Sequence, residues 1–414
     1  ICPVKNQDEI AFLSAIEISI IIKKREITSL QTAQSFLCRI RKYNPVLNAI
    51  IILDENQVLN DAREADLSLE RGEIRGLLHG VPVTIKDQFA VSGMRTTISH
   101  PPLRNQVTNF DSTVVARLKQ AGAVILGKTN MPQLATDFQT RSPLFGVTNN
   151  PWDITRTPGG STGGGASAIA AGLSPLEIGS DYAGSLRIPP HFTGIYGLRP
   201  TEHLISDYGS FPGMNDPRTF RHLVSSGPLA RNVEDLELCL GIIAGPDGKD
   251  SMVAPITLVK VQPPAFKNIK ILWIASLPDM PVSRDTRDAI AVFIKKLSMK
   301  GVQIEKGLSE KFDFKMAQHT WGEIGGIQSG VDMPFYLRGF LYMTRMLHNT
   351  KAFHSYFEPM SVKKFMHALD KRERLISQFE AFLGDWDAFI LPVSSTPAFK
   401  HIEPSADNDQ PIYN

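Results

Sequence analysis

The sequence predicts an α/β protein, a single large domain whose central sheet is covered by helices on both faces. Two observations carry that expectation. Segments with helical apolar periodicity alternate with short apolar runs of strand length along all 414 residues. No internal repeat or low-complexity linker interrupts the alternation, and an apolar content of 42% suits one sizeable buried core.

Asp8 to Lys24 and Thr28 to Lys42 carry helical spacing, with Thr28 or Ser29 placed to cap the second helix. "GLLHGVPVTIKDQF" reads as a turn and then a buried strand, Val81–Ile85, ending on Lys86. "DSTVVARLKQAGAVILGKTN" reads as a helix, a glycine-marked turn and the strand Ala123–Leu126. A small-residue helix is expected around Ala166–Ala171, and "ARNVEDLELCLGIIAG" is a helix that Asn232 can cap. Further on, "NIKILWIAS" is a strand, "SRDTRDAIAVFIKKLSMKG" a helix closing on Gly301, and "VQIEKG" a strand. "KRERLISQFEAFLGDWDAFILPVSS" gives a last helix and strand.

Composition excludes several classes. A net charge of +2 with no long basic run argues against a dedicated nucleic-acid binder. No apolar run reaches the ~18 residues of a membrane span. The three cysteines form no metal or CxxC pattern. Cys38 and Cys239 sit in apolar helical stretches and read as buried free thiols, which fits a reducing compartment. The expected location is the cytoplasm, with a native leader ahead of Ile1 left open by the sequence. Neither an HExxH, a DxDxDG nor a clustered His/Asp/Glu pattern points to a metal, and no cofactor is expected.

"GAVILGKT", Gly122 to Thr129, formally matches a phosphate-binding loop. That motif needs a loop that turns its N–H groups toward phosphate, and Ala-Val-Ile-Leu favours a buried strand instead. Lys128 is therefore given a structural role or a place at a pocket edge. "PGGSTGGGAS" places five glycines and three small hydroxyl residues in ten positions. It lacks the glycine register of a dinucleotide loop and follows "NPWDITRT", which is loop chemistry. Two neighbours give it meaning. In "GSDYAGSLRIPP", Ser185 follows Ala183-Gly184, a small-residue turn that can expose a hydroxyl beside converging N–H groups. Lys86 ends an apolar strand, where desolvation disfavours its charged form and leaves an amine able to act as a base. No GxSxG elbow and no partnered histidine supports a Ser-His-Asp alternative.

Three blocks, "GVPVTIKDQFAVSGMRTT", "GKTNMPQLA…FGVTNNPWDITRTPGGSTGGGASAIAAG" and "LEIGSDYAGSLRIPPHFTGIYGLRPT", resemble the amidase signature family over about Ile10 to Pro397. The resemblance implies a twisted mixed sheet and a Ser–cis-Ser–Lys triad. Ser185 matches its nucleophile, Ser161 its cis-serine and Lys86 its base. The backbone N–H groups of Tyr182, Ala183, Gly184 and Ser185 match its oxyanion hole. Asp181 and Arg187 are expected to lock the nucleophile loop, and Thr162 to support the triad by hydrogen bonding. The domain then divides into N-terminal helices over about 8–75, a catalytic core over about 76–245, and sheet and substrate-pocket elements over about 246–414, with a C-terminus that stops short of the family's usual end. Met131 is a candidate pocket residue. So are Phe335, Tyr336, Phe340 and Met343 in the aromatic and methionine stretch Val331–Asn349, where they line either a packed core or an apolar acyl pocket.

The implied activity is that of an amidohydrolase cleaving a carboxamide through a Ser185 acyl-enzyme, acting on non-peptide C–N bonds of a small linear amide. The rival readings are the glutaminase subunit of a transfer-RNA-dependent amidotransferase and an idle scaffold with the same fold. "YGLRPTEHLISDYGSFPGMNDPRTF" departs from the usual sequence of that subunit, which places the free-standing enzyme first. The expected partner is a small-molecule amide with no nucleic acid. A homodimer and membrane association are compatible with the sequence without being indicated by it.

Overall fold

The computed structural model describes residues 7–214, 220–277, 280–307, 312–329, 343, 355, 358 and 361–403. These fall into two compact units, the first drawn from Ile1–Pro217, Val224–Leu258 and Ala398–His401, the second from Arg218–Leu223, Val259–Pro397 and Ile402–Asn414.

The first unit opens with helices α1 (Gln7–Phe12), α2 (Ala15–Lys23) and α3 (Ser29–Leu47). The single helix expected over 8–24 is broken, because Ser14 caps α2 with a reciprocal box. Its hydroxyl accepts from Glu17 N–H, and the Glu17 carboxylate accepts from Ser14 N–H at 2.7 Å. Thr28 caps α3 in the same way with Gln31. Cys38 is disulfide-bonded, not free. Helix α3 leaves it half-buried and so open to pairing. The apolar setting had suggested full burial, and the support it lent to a reducing compartment is withdrawn. Cys239 is a buried free thiol, as expected.

Then follow β1 (Ile50–Ile52), α4 (Glu55–Glu70), β2 (Pro82–Lys86), α5 (Thr113–Gln120), β3 (Val124–Thr129), the short pair β4 (Arg141–Ser142) and β5 (Gly146–Val147), α6 (Gly163–Ala170), β6 (Leu176–Asp181), α7 (Ile188–Thr193), β7 (Tyr196–Gly197), β8 (Ser225–Ala230) and α8 (Val233–Ile243). Asn232 caps α8 through Asp235 N–H. Six strands form one mixed sheet in the order β1-β3-β2-β6-β8-β7, with β3, β2 and β6 parallel and the flanking pairs antiparallel. The α/β class and the mixed central sheet flanked by helices are thus present. "GAVILGKT" lies in the fully buried β3, so its resemblance to a phosphate loop is formal only.

Strand alternation sorts the residues of this sheet between two faces. Val83 and Ile85 of β2 and Ile178 of β6 join the main core with Phe36 and Ile40 of α3. The opposite face carries Thr84, Lys86, Glu177 and Thr129, since Thr84 pairs with Glu177 and Lys86 with Thr129. Helix α6 lies on that polar face. A Cβ at Gly165 would stand 2.5 Å from the Glu177 side chain, so only glycine permits this approach.

The second unit has a parallel sheet, β10-β9-β11, of β9 (Lys270–Trp273), β10 (Gln303–Lys306) and β11 (Ala388–Ile390). Its helices include α9 (Arg284–Met299), α10 (Phe314–Ser329) and α11 (Val362–Leu383). Phe312, Phe314, Phe382 and Phe389 pack edge to face inside it. No helix among the described residues is long and apolar enough to cross a membrane.

Candidate active site

One strand end and two turns converge on the polar face of the six-stranded sheet. Lys86 is the last residue of β2 and wholly buried. Ser161 stands in the turn just before α6, where the Gly160–Ser161 peptide bond is cis. Ser185 lies in the turn between β6 and α7, and its side chain is nearly buried. Lys86 Nζ is 2.7 Å from Ser161 Oγ, and Ser161 Oγ is 2.9 Å from Ser185 Oγ. The three residues, scattered over a hundred positions of sequence, form one unbroken chain of hydrogen bonds.

Burial lowers the Lys86 amine from 10.5 to about 7, against the opposing pull of the Asp181 and Glu177 carboxylates. A neutral amine is thereby available near neutral pH. Thr162 Oγ1 is 3.1 Å from Nζ. Ser180 Oγ lies 3.2 Å from Nζ. Glu177, two residues back on β6 from Gly179, accepts from Thr129 Oγ1 at 2.6 Å while its Oε2 has no partner among the described residues. Burial raises its carboxyl to about 7.

The turn that carries Ser185 is held by Asp181. The Arg187 guanidinium donates two hydrogen bonds to its carboxylate, at 2.8 and 2.9 Å, and the N–H groups of Gly184 and Leu186 add two more at 2.8 and 3.0 Å. Burial opposes ionisation of Asp181, but these donors outweigh it and hold the carboxyl below its ordinary range. Gly184 adopts φ +115°, a backbone region closed to other residues, and so turns the chain sharply into Ser185.

One expectation is corrected here. Of the four N–H groups expected to face an oxyanion, that of Gly184 is already given to Asp181. The N–H groups of Ala183 and Ser185 donate to no acceptor among the described residues, while Tyr182 opens the same turn directly after β6.

The pocket residues fare differently. Met131 is fully buried just beyond β3. Phe335, Tyr336 and Phe340 lie outside the described residues, and Met343 is 61% exposed, contrary to a packed lining position. Ser180, Gln88 and Glu177 went unremarked in the sequence. The only signal was the polar residue at alternate positions of an otherwise apolar strand, Glu177 in "PLEIGSD".

A family model described as "Amidase" matches residues 31–414. The chain belongs to the amidase signature family. Among its relatives are the A subunits of glutamyl-tRNA(Gln) amidotransferase from Carboxydothermus hydrogenoformans, 38% identical over 75% of this chain and 62% of that protein, and from Thermoanaerobacter pseudethanolicus, 32% identical over 95% and 84%. A third, from Symbiobacterium thermophilum, is 41% identical over 62% of this chain, and the match spans half of that protein's length. Of solved amidase folds, fatty acid amide hydrolase superposes with a TM-score of 0.83 at 23% identity, over 95% of this chain and 70% of that one. The Thermotoga maritima amidotransferase A subunit gives 0.75 at 25% identity, over 95% and 81%.

Proposed function

We propose that this chain hydrolyses a carboxamide through an acyl-enzyme on Ser185. The observation that carries the reading is the continuous Lys86–Ser161–Ser185 chain ending on a buried amine held near neutrality. Lys86 takes the proton of Ser161, and Ser161 takes that of Ser185. Ser185 Oγ then attacks the carbonyl carbon, and the oxyanion meets the N–H groups of Ala183 and Ser185. Removing one such donor in other enzymes costs ~3 kcal/mol of transition-state stabilisation. The C–N bond breaks as the relay returns a proton to the departing nitrogen. Water then cleaves the ester by the same path in reverse.

Within this chemistry the relatives favour glutamine as the amide, with this chain as the A subunit of an amidotransferase, over the free-standing amidase that the sequence placed first. Those relatives are named for a transfer RNA, so the expectation of no nucleic-acid partner gives way in this reading. A panel running from glutamine through aryl acylamides to long-chain fatty amides, read by ammonia or amine release, separates the two. Glutamine-restricted turnover and co-purification with a second subunit support the amidotransferase reading. Hydrolysis of simple aryl or fatty amides without a partner reverses the order. A serine-directed fluorophosphonate tests the shared claim. Labelling should vanish in Ser185→Ala, and labelling that survives this change refutes the assignment.

A further inference from the structure

A neutral lysine amine has two N–H donors and one lone pair. Lys86 Nζ faces three hydroxyls, those of Ser161, Thr162 and Ser180. If the lone pair is to receive the proton of Ser161, the other two hydroxyls must accept. Each hydroxyl has a single proton, and the structure shows where two of these are spent. Thr162 Oγ1 donates to the Ser180 carbonyl oxygen at 3.3 Å. Ser180 Oγ donates to Gln88 Oε1 at 2.5 Å. Gln88 is fully buried, just past the end of β2. Its Nε2 donates to Ser210 Oγ at 2.9 Å, which orients the amide oxygen toward Ser180, and its backbone carbonyl accepts from Phe211 N–H at 2.8 Å, which fixes the main chain there.

We propose that Gln88 is a positioning residue for the relay: by accepting the Ser180 proton it leaves Ser161 as the only hydroxyl able to donate to Lys86. The inference rests on the reading of Lys86 as the base. Gln88, Ser180 and Ser210 have no formal charge. The charged groups acting on Lys86 are Asp181 and Glu177, and Asp207 stands behind Ser210, with its carbonyl accepting from Ser210 N–H.

Without the amide oxygen, the Ser180 hydroxyl turns its proton onto the lysine lone pair and competes with Ser161. In Gln88→Met the rate of fluorophosphonate labelling at Ser185 should fall about tenfold, the weight of one misdirected hydrogen bond. The acid limb of its pH profile should move to lower pH, because the neutral amine has gained a donor. Ser180→Ala, which deletes a hydroxyl touching the lysine, should be the milder change, and adding Gln88→Met to it should cost nothing more. Equal or additive losses, or an unmoved acid limb, overturn the proposal. If Gln88→Met does not fold, Gln88→Glu keeps an acceptor facing Ser180. Its plateau rate should match the wild type, with the acid limb raised by the added charge, and a lowered plateau counts against the proposal. Wild-type labelling that persists in Ser185→Ala would instead remove the functional reading itself. Ser185-dependent labelling at the wild-type rate in Gln88→Met removes only this inference.

Discussion

Lys86→Met tests the buried amine through stability as well as activity. At the ordinary value of 10.5 only about one lysine in 3,000 is neutral at pH 7, whereas at about 7 half are neutral. Burial thus raises the supply of base roughly a thousandfold, and the variant, which has no base at all, should lose labelling at Ser185 by about 10²–10⁴-fold, the usual weight of a general base. The same shift opposes folding. Between about 7 and 10.5 the unfolded chain binds a proton that the folded chain does not. The handicap is full below pH 7, shrinks as pH rises, and is gone above 10.5. Relative to the wild type, Lys86→Met should therefore gain stability at pH 7, and the gain should shrink by about 2 kcal/mol by pH 9. Urea unfolding of both proteins at the two pH values measures this. A stability difference that does not change with pH means a lysine charged in the folded state, and the argument for a general base fails with it.

Ser161→Ala should cut Ser185 labelling severely but less than Lys86→Met does, since water can bridge the gap left by a hydroxyl, and parallel labelling rates check the order. Glu177→Gln removes an anion that favours the charged lysine, so the acid limb of the activity profile should shift to lower pH; a shift upward refutes the electrostatic account. Gly165→Ala puts a methyl group 2.5 Å from Glu177 and should lower the melting temperature, with a loss of about 1–3 kcal/mol for overpacking. An unchanged melting curve would mean that α6 can lift off the sheet.

Much of the site was legible because its chemistry depends on local sequence. A lysine ending an apolar run, a serine after Ala-Gly and a glycine-rich loop between them each mark a backbone that must be buried, turned or closely approached. The helix caps at Thr28 and Asn232 were legible for the same reason, since a cap is a contact across three residues. The break at Ser14 was missed, though its Ser-x-x-Glu box is equally local, because continuous apolar periodicity masked it.

By itself the sequence determined the fold class, from periodicity, and the family, from three motif blocks whose resemblance pointed to Lys86, Ser161 and Ser185. Tertiary structure alone decided which side of the sheet is polar and that Gln88 reaches Lys86 through Ser180. Strand register and hydroxyl direction produce these contacts, and both are set by strands and turns distant in sequence that only packing brings together.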